Sequence, residues 1–221
     1  MSHPVIARCR PRTELADLAK NCFSGLREYM KNFRMVPFLL LGTLSPPAMA
    51  DDLTVSARAT ASDLIQRLGA LLKKEMAAGG PDNAIAVCRD TAPDLAGDLS
   101  RKTGARVSRV SLKTRNPLLG QPDPWEQRVL AEFDQQAAQG AKPETLERSE
   151  VVTEPQGRFF RYLKAIPVQP LCLTCHGTTD SIPNPVKARL ATDYPHDRAT
   201  GYALGQIRGA VTIKRSMDEA K

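Results

Sequence analysis

The sequence contains few of the residues from which most catalytic and metal sites are built. It has three histidines, five cysteines, one tryptophan and 5% aromatic residues in 221 positions. No apolar run approaches the roughly 20 residues that a membrane-spanning helix needs. No nucleophile triad, phosphate-binding loop or carboxylate pair stands out, and there is no internal repeat. We therefore expect a protein that is not an enzyme, while 42% hydrophobic residues are enough for a folded core.

The first 50 residues predict an export signal behind an unusual polar stretch. From Met30 a short basic region precedes the apolar run MVPFLLLGTL, and Ala48-Met49-Ala50 forms a cleavage site. A short buried core segment is the alternative, but it does not explain the order of charges. No cysteine follows the run, so a lipid anchor is not expected. The predicted segments are a gene-model extension (1–29), a signal peptide cleaved after Ala50 (30–50) and a mature periplasmic domain (51–221).

The basic character of the chain comes largely from this N-terminal segment. The whole chain has a formal net charge of +7, and residues 1–50 hold seven of the basic and three of the acidic residues. The mature domain therefore carries only +3, which gives no support to nucleic-acid binding.

The mature domain has the pattern of an α+β fold. Apolar residues recur at helical spacing from Asp52 to about Ala78, where Gly79-Gly80 stops the run. A second helix follows, bent or split by Pro93. Further along, the pattern predicts a strand (105–114) and a helix (123–140) that begins with a capping box of Asp123 and Glu126. A hairpin around Pro155-Gln156-Gly157, a short helix (185–191) and a last strand (201–217) follow.

The stretch PLCLTCHGTT contains a Cys-x-x-Cys-His motif that predicts attachment of a c-type haem. Two cysteines three residues apart, Cys172 and Cys175, allow each thiolate to add to one haem vinyl group. The following residue, His176, then ligates the iron. A zinc site needs four ligands, and the mature domain otherwise offers only Cys88 and His196. A thioredoxin-like dithiol or a plain disulfide leaves His176 without a role, so we expect one covalent haem c.

The ligand on the second face of the iron is less constrained. Besides an open position, the candidates are Cys88, His196, Met76 and Met217. Cys88 lies on the apolar face of a predicted helix, where a small buried core residue is the alternative interpretation. It is also the odd cysteine of an exported domain, and iron ligation would remove the reactivity of its free thiol.

Four ordered motifs resemble those of the single-haem, PAS-like c-type haem domains: AIAVCRDTAP, SLKTRNPLLGQPDPWE, CLTCHG and DYPHDRATGYALGQIRGAVTI. The likeness covers nearly all of residues 55–217. The family is known from a haem protein and from sensor regions of histidine kinases. The resemblance implies a PAS-like antiparallel sheet wrapped by N-terminal helices. It also implies axial ligation by a histidine and a cysteine, which correspond here to His176 and Cys88.

This ligation sets the expected function. A thiolate stabilises Fe(III), so we expect a low reduction potential. Release of Cys88 on reduction would open the iron to a diatomic gas and free its helix, as in a redox or gas sensor. A low-potential electron carrier is the alternative. A peroxidase with His196 as its acid–base group is a third class.

The remaining expectations concern partners and supporting residues. The chain contains no kinase or cyclase region, so we expect a signal to pass through a partner protein. The long first helix either covers the core or forms a homodimer interface. Trp125 is expected to pack under the sheet. Candidates for pairing with the haem propionates are Arg89, Arg109, Arg115 and Arg208, although exposed arginines are usually only solvated.

Overall fold

The structure, a computed structural model, describes residues 46–218. The predicted gene-model extension lies outside this range, as does the predicted signal peptide apart from its last five residues. No helix within the described range is both long and apolar enough to cross a membrane. The elements in chain order are α1 (Pro46–Ala86), a π-helical segment (Val87–Thr91), α2 (Ala92–Thr103), β1 (Arg106–Val110), α3 (Pro117–Gly120), α4 (Pro124–Ala138), a 3-10 turn (Pro143–Thr145), β2 (Glu147–Glu154), β3 (Gly157–Pro167), a second 3-10 turn (Pro170–Cys172), α5 (Leu173–His176), α6 (Asn184–Asp193) and β4 (Ile207–Ser216).

The four strands form one antiparallel sheet in the order β1-β4-β3-β2. The hairpin predicted around Pro155-Gln156-Gly157 is confirmed, with Glu154 paired to Gly157 at its closed end. The last strand, β4, pairs with both β1 and β3 and so lies inside the sheet. This arrangement confirms the predicted fold class, an α+β domain with a PAS-like antiparallel sheet.

Helices cover both faces of the sheet because successive strand residues point to opposite sides. One face packs against α1 and α2 through a core of Ala57, Ala61, Leu64, Ala96, Leu99, Ala105, Val107, Phe160, Tyr162, Val211 and Ile213. The other face packs against α4 through Val110, Trp125, Val129, Leu130, Phe133, Leu146, Leu163, Ala165, Ile207 and Ala210. The long first helix therefore covers the core, and Trp125 lies under the sheet as predicted.

The break in α1 follows from its glycines. Gly80 has a φ of +69°, a conformation that strongly favours glycine, and Pro81 opens the next helical stretch. The predicted stop at Gly79-Gly80 is thus confirmed. The helix begins earlier than expected, at Pro46 rather than Asp52, because proline is accepted in a first helical turn and alanine favours helix.

Two further predictions concern element ends. The capping box of α4 is confirmed, since Asp123 accepts from the Glu126 backbone N–H at 2.9 Å and Glu126 accepts from the Asp123 N–H at 2.8 Å. The first strand is shorter than predicted, ending at Val110 instead of residue 114. The Ser111 N–H donates to the Gly120 carbonyl at 3.1 Å, which turns the chain away from the sheet.

Candidate functional site

A cavity of about 830 Å³ lies between α1, the π-helical segment, β1 and the CxxCH turn. This volume is within the range of cofactor sites in proteins. Most of its wall is apolar. The apolar residues include Leu64, Leu68, Leu72, Met76, Ala84, Ile85, Ala92, Ala96, Val107, Val110, Leu119, Ile166, Leu171 and Val211. Cys88, Cys172, Cys175 and His176 all line this cavity, so the structure brings the four predicted site residues together.

The CxxCH motif forms two short consecutive turns, a 3-10 turn ending at Cys172 and the single helical turn α5. Two backbone bonds anchor it to a distant segment: Tyr202 N–H donates to the His176 carbonyl at 3.0 Å, and Gly201 N–H donates to the Gly177 carbonyl at 2.7 Å. A side chain at Gly177 would place its Cβ 2.6 Å from the Leu173 carbonyl oxygen. The residue after the histidine is therefore glycine for a steric reason.

The hydrogen bond at Nδ1 orients the His176 ring. Nδ1 lies 2.6 Å from the Ala199 carbonyl oxygen, which can only accept, so this nitrogen carries the proton. Burial lowers the pKa of His176 well below its usual range, and the charges of Arg208 and Arg115 lower it further. The imidazole is thus neutral, with the Nε2 lone pair free to accept. Arg208 Nε donates to that lone pair at 3.3 Å.

Cys88 lies on the π-helical segment, which interrupts the regular helix. Pro93 has no N–H to donate, and the Ala92 N–H bonds to the Val87 carbonyl, five residues back instead of four. The predicted splitting of this helix near Pro93 is confirmed. The Cys88 side chain is half-buried and its thiol is free, as are the thiols of Cys172 and Cys175. Burial raises the pKa of the Cys175 thiol.

The charged residues of the cavity wall are all basic. Five basic residues line it, and no aspartate or glutamate of the described range does. These basic residues are Lys73, Arg89, Arg109, Arg115 and Arg208. The Arg109 side chain makes no hydrogen bond or ion pair with any described residue. The neighbouring Ser108 Oγ is buried without a partner in the same part of the chain. The arrangement suits a large apolar ligand that carries anionic groups.

The other candidates for the second face of the iron lie in different places. Met76 lines the cavity on the last full turn of α1 before the glycine break. His196 is exposed and does not line the cavity. Met217 packs against the core on the α1 side of the sheet. Among the side chains predicted as candidates for the second face of the iron, only Cys88 and Met76 therefore reach the cavity.

Several residues around the site were not predicted from the sequence. Tyr194 lines the cavity, and Asp197 and Ala199 support the His176 turn from behind. They lie in DYPHDRATG, the first part of the fourth motif. The resemblance pointed to this motif, but no periodicity or spacing indicated a role for its members.

These features define an α+β domain with a largely apolar cavity whose charged lining residues are basic. The chain belongs to the Tll0287-like family, since the profile of that family (Tll0287) matches residues 13–216. No curated protein matches the chain. A similar solved structure is the crystal structure of the cyanobacterial heme-protein Tll0287. It has a TM-score of 0.58 and 22% identity, and the match covers 77% of this chain and 98% of that one. At this identity, the similarity concerns the fold.

Proposed function

We propose that this protein is an exported c-type haem protein that holds one haem covalently through Cys172 and Cys175. His176 and Cys88 would be the two protein ligands of its iron. The observation that carries this proposal is the convergence of these four residues on a single cavity. The family relationship and the haem bound by the cyanobacterial protein support it.

The residues present fit a haem in three respects. The apolar wall suits a porphyrin, and the basic lining suits the two carboxylates on its edge. The neutral His176, with its proton on Nδ1, presents the nitrogen that a metal requires. A bound haem supplies one-electron chemistry and an iron able to exchange an axial ligand.

Binding of a metal to His176 requires a rearrangement of Arg208. Its Nε now occupies the Nε2 lone pair, and a lone pair serves one partner at a time. The guanidinium also has Ser111 Oγ at 2.9 Å and the Lys113 carbonyl at 3.3 Å. These acceptors can hold Arg208 after it turns from the imidazole, or it can pair with a carboxylate in the cavity.

The position of Cys88 favours a redox- or gas-responsive sensor. The residue lies between the glycine break of α1 and Pro93, on a segment without the regular helical hydrogen bonds. Such a segment rearranges at lower cost than a regular helix and is common at functional sites. Release of Cys88 would thus allow this segment to move, and the movement would reach α2 and, through it, a partner protein. The alternative is a low-potential periplasmic electron carrier, in which Cys88 remains bound.

Absorption spectra of oxidised and reduced protein test the proposal. The protein is expressed from Met30 with haem-maturation machinery, as wild type, Cys88→Ala and the control Met76→Leu. We expect covalent haem in all three and a low-spin thiolate spectrum that only Cys88→Ala loses. Loss of the thiolate on reduction of the wild type supports a sensor, and its retention supports the carrier.

Two outcomes would contradict the proposal. Protein without haem after acid–acetone extraction would mean that the CxxCH motif binds something else. Identical spectra for wild type and Cys88→Ala would return Cys88 to a packing role. Mass spectrometry of the mature chain produced from the gene for all 221 residues tests export separately, with Asp51 as the expected first residue and any start before Met30 as the contrary result.

A further inference from the structure

Arg115 and Asp197 form an ion pair behind the CxxCH turn. The Arg115 Nε donates to Asp197 Oδ2 at 3.0 Å, and its Nη2 lies 3.0 Å from the same oxygen. The two side chains are only 10% and 12% exposed. The pair joins two segments more than 80 residues apart in the chain. Neither residue has a role in the haem ligation proposed above.

The pair contacts the CxxCH turn at Cys175 and the segment at Ala199 that holds its histidine. Arg115 Nη2 donates to the Cys175 carbonyl at 2.6 Å, and more weakly to the Ala199 carbonyl at 3.5 Å. Asp197 Oδ1 accepts from the Ala199 N–H at 2.7 Å. Ala199 in turn accepts the Nδ1 proton of His176, and it is completely buried. A continuous set of hydrogen bonds therefore runs from Arg115 through Asp197 and Ala199 to the imidazole.

A buried ion pair is a poor choice for stability alone. Removing two charges from water costs about as much as their attraction returns, and apolar residues of similar size often stabilise a fold better. What the pair provides is geometry, because the planar guanidinium holds its acceptors in fixed directions. Those acceptors belong to the two segments that determine where His176 lies.

We infer that Arg115 and Asp197 are positioning residues for His176. They fix the Ala199 carbonyl so that it holds the proton on Nδ1 and keeps the ring aimed into the cavity. A firm hydrogen bond at Nδ1 raises the basicity of Nε2, as outer partners of ligating histidines commonly do. The geometric part of this inference concerns the protein alone, and its effect on iron rests on the proposed function.

The first test measures the imidazole proton in the full mature chain without haem. In ¹⁵N-labelled wild type, we expect His176 as the Nδ1–H tautomer with a slowly exchanging proton. In Arg115→Gln and Asp197→Asn, we expect exchange about tenfold faster or more, because the carbonyl that holds the proton is loosened. The exposed neighbours Arg198→Gln and Asp180→Asn remove the same charges and serve as controls. Unchanged exchange in both site variants would overturn the inference.

The second test measures the reduction potential of the haem-loaded protein and separates positioning from charge. If the pair acts only through its charge, Arg115→Gln lowers the potential and Asp197→Asn raises it. Positioning predicts that both changes raise it, because a weaker His176 donor stabilises Fe(III) less. The expected rise is about 59 mV, which corresponds to a tenfold change in relative stabilisation for one electron.

Two further variants sharpen the second test. The double variant Arg115→Gln/Asp197→Asn leaves the net charge unchanged, so a charge effect predicts no shift and positioning predicts a rise. Arg115→Lys keeps the charge but lacks the planar fork, and it replaces Arg115→Gln should that variant fail to fold. Opposite shifts that cancel in the double variant would refute positioning. Wild type without covalent haem would refute the proposed function, and the proton-exchange test would still decide the role of the pair.

Discussion

Arg161 is the largest side chain buried in the sheet, and its removal should destabilise the protein strongly. The residue is 1% exposed, on the face covered by α4. Its Nη2 lies 2.6 Å from Asp123 Oδ2 and 3.2 Å from Glu126 Oε1, and its Nη1 lies 2.5 Å from Glu154 Oε1. Its guanidinium carbon also lies 4.7 Å from the centre of the Trp125 ring. One cation thus holds three carboxylates together.

Replacement of Arg161 by methionine fills the space but leaves these carboxylates without their shared partner. Loss of one member of a buried ion pair costs about 3–5 kcal/mol. For a domain of this size 1 kcal/mol corresponds to about 2–4 °C, so Tm should fall by roughly 6–20 °C. The matched control is Arg148→Met, because Arg148 pairs with Glu132 at the surface, where both side chains are more than one third exposed. That pair contributes about 0–1 kcal/mol.

The pH dependence of Tm tests the physical cause. Burial alone would raise the pKa of Glu154, but Lys214 and Arg161 outweigh it and lower that pKa below its usual value. A lowered pKa in the folded state stabilises the fold above the unfolded-state pKa, and this stability is lost as pH falls through the folded-state value. In Arg161→Met the carboxylates should gain from protonation, so the difference in Tm from wild type should shrink toward pH 4. A difference that is small, or that does not change with pH, would refute the reasoning.

Two other predictions concern the cavity and its CxxCH turn. Gly177→Ala should lower Tm and disturb the position of His176, since the new Cβ would lie 2.6 Å from the Leu173 carbonyl oxygen. Gly69→Ala is the control, because its new Cβ would meet no atom within 4 Å. We expect it to stabilise the protein by about 0.5–1 kcal/mol in the same thermal scans. Arg109→Gln should weaken the binding of free haem by about tenfold in protein to which haem has not been attached covalently. Binding of haem dimethyl ester, whose two carboxylates are blocked, should not change. Equal losses for both ligands would mean that Arg109 does not recognise the carboxylates.

Local chemistry was sufficient to predict most elements of the fold. The capping box at Asp123 and the glycine break at Gly80 each act within a few residues, so the sequence pattern reveals them directly. The hairpin was predicted for the same reason. The end of β1 was missed because the bond that ends it is made by Gly120, the last residue of the short helix α3, and leaves no mark on the strand itself.

The candidate site was predictable only in its reactive residues. Cysteine and histidine are rare here, so their spacing alone identified the CxxCH motif, and the ordered motifs identified Cys88. Arg115 and Asp197 were not separable from surface charges, because arginine and aspartate are common and usually solvated. Their role depends on a contact across 82 positions, which no local pattern encodes.

The two sides of the cavity are held by different kinds of interaction, and this difference supports the sensor proposal. On the CxxCH side, His176 is fixed by backbone bonds from Tyr202 and by the Ala199 carbonyl. Elsewhere in the cavity wall, Cys88 lies on a π-helical segment flanked by a glycine break and a proline. If both residues ligate the same iron, a change in its charge would act on a firm support, the CxxCH turn, and on an adjustable support, the π-helical segment. The adjustable support would then be the part that moves, and because it continues into α2, the movement would reach the core of the domain.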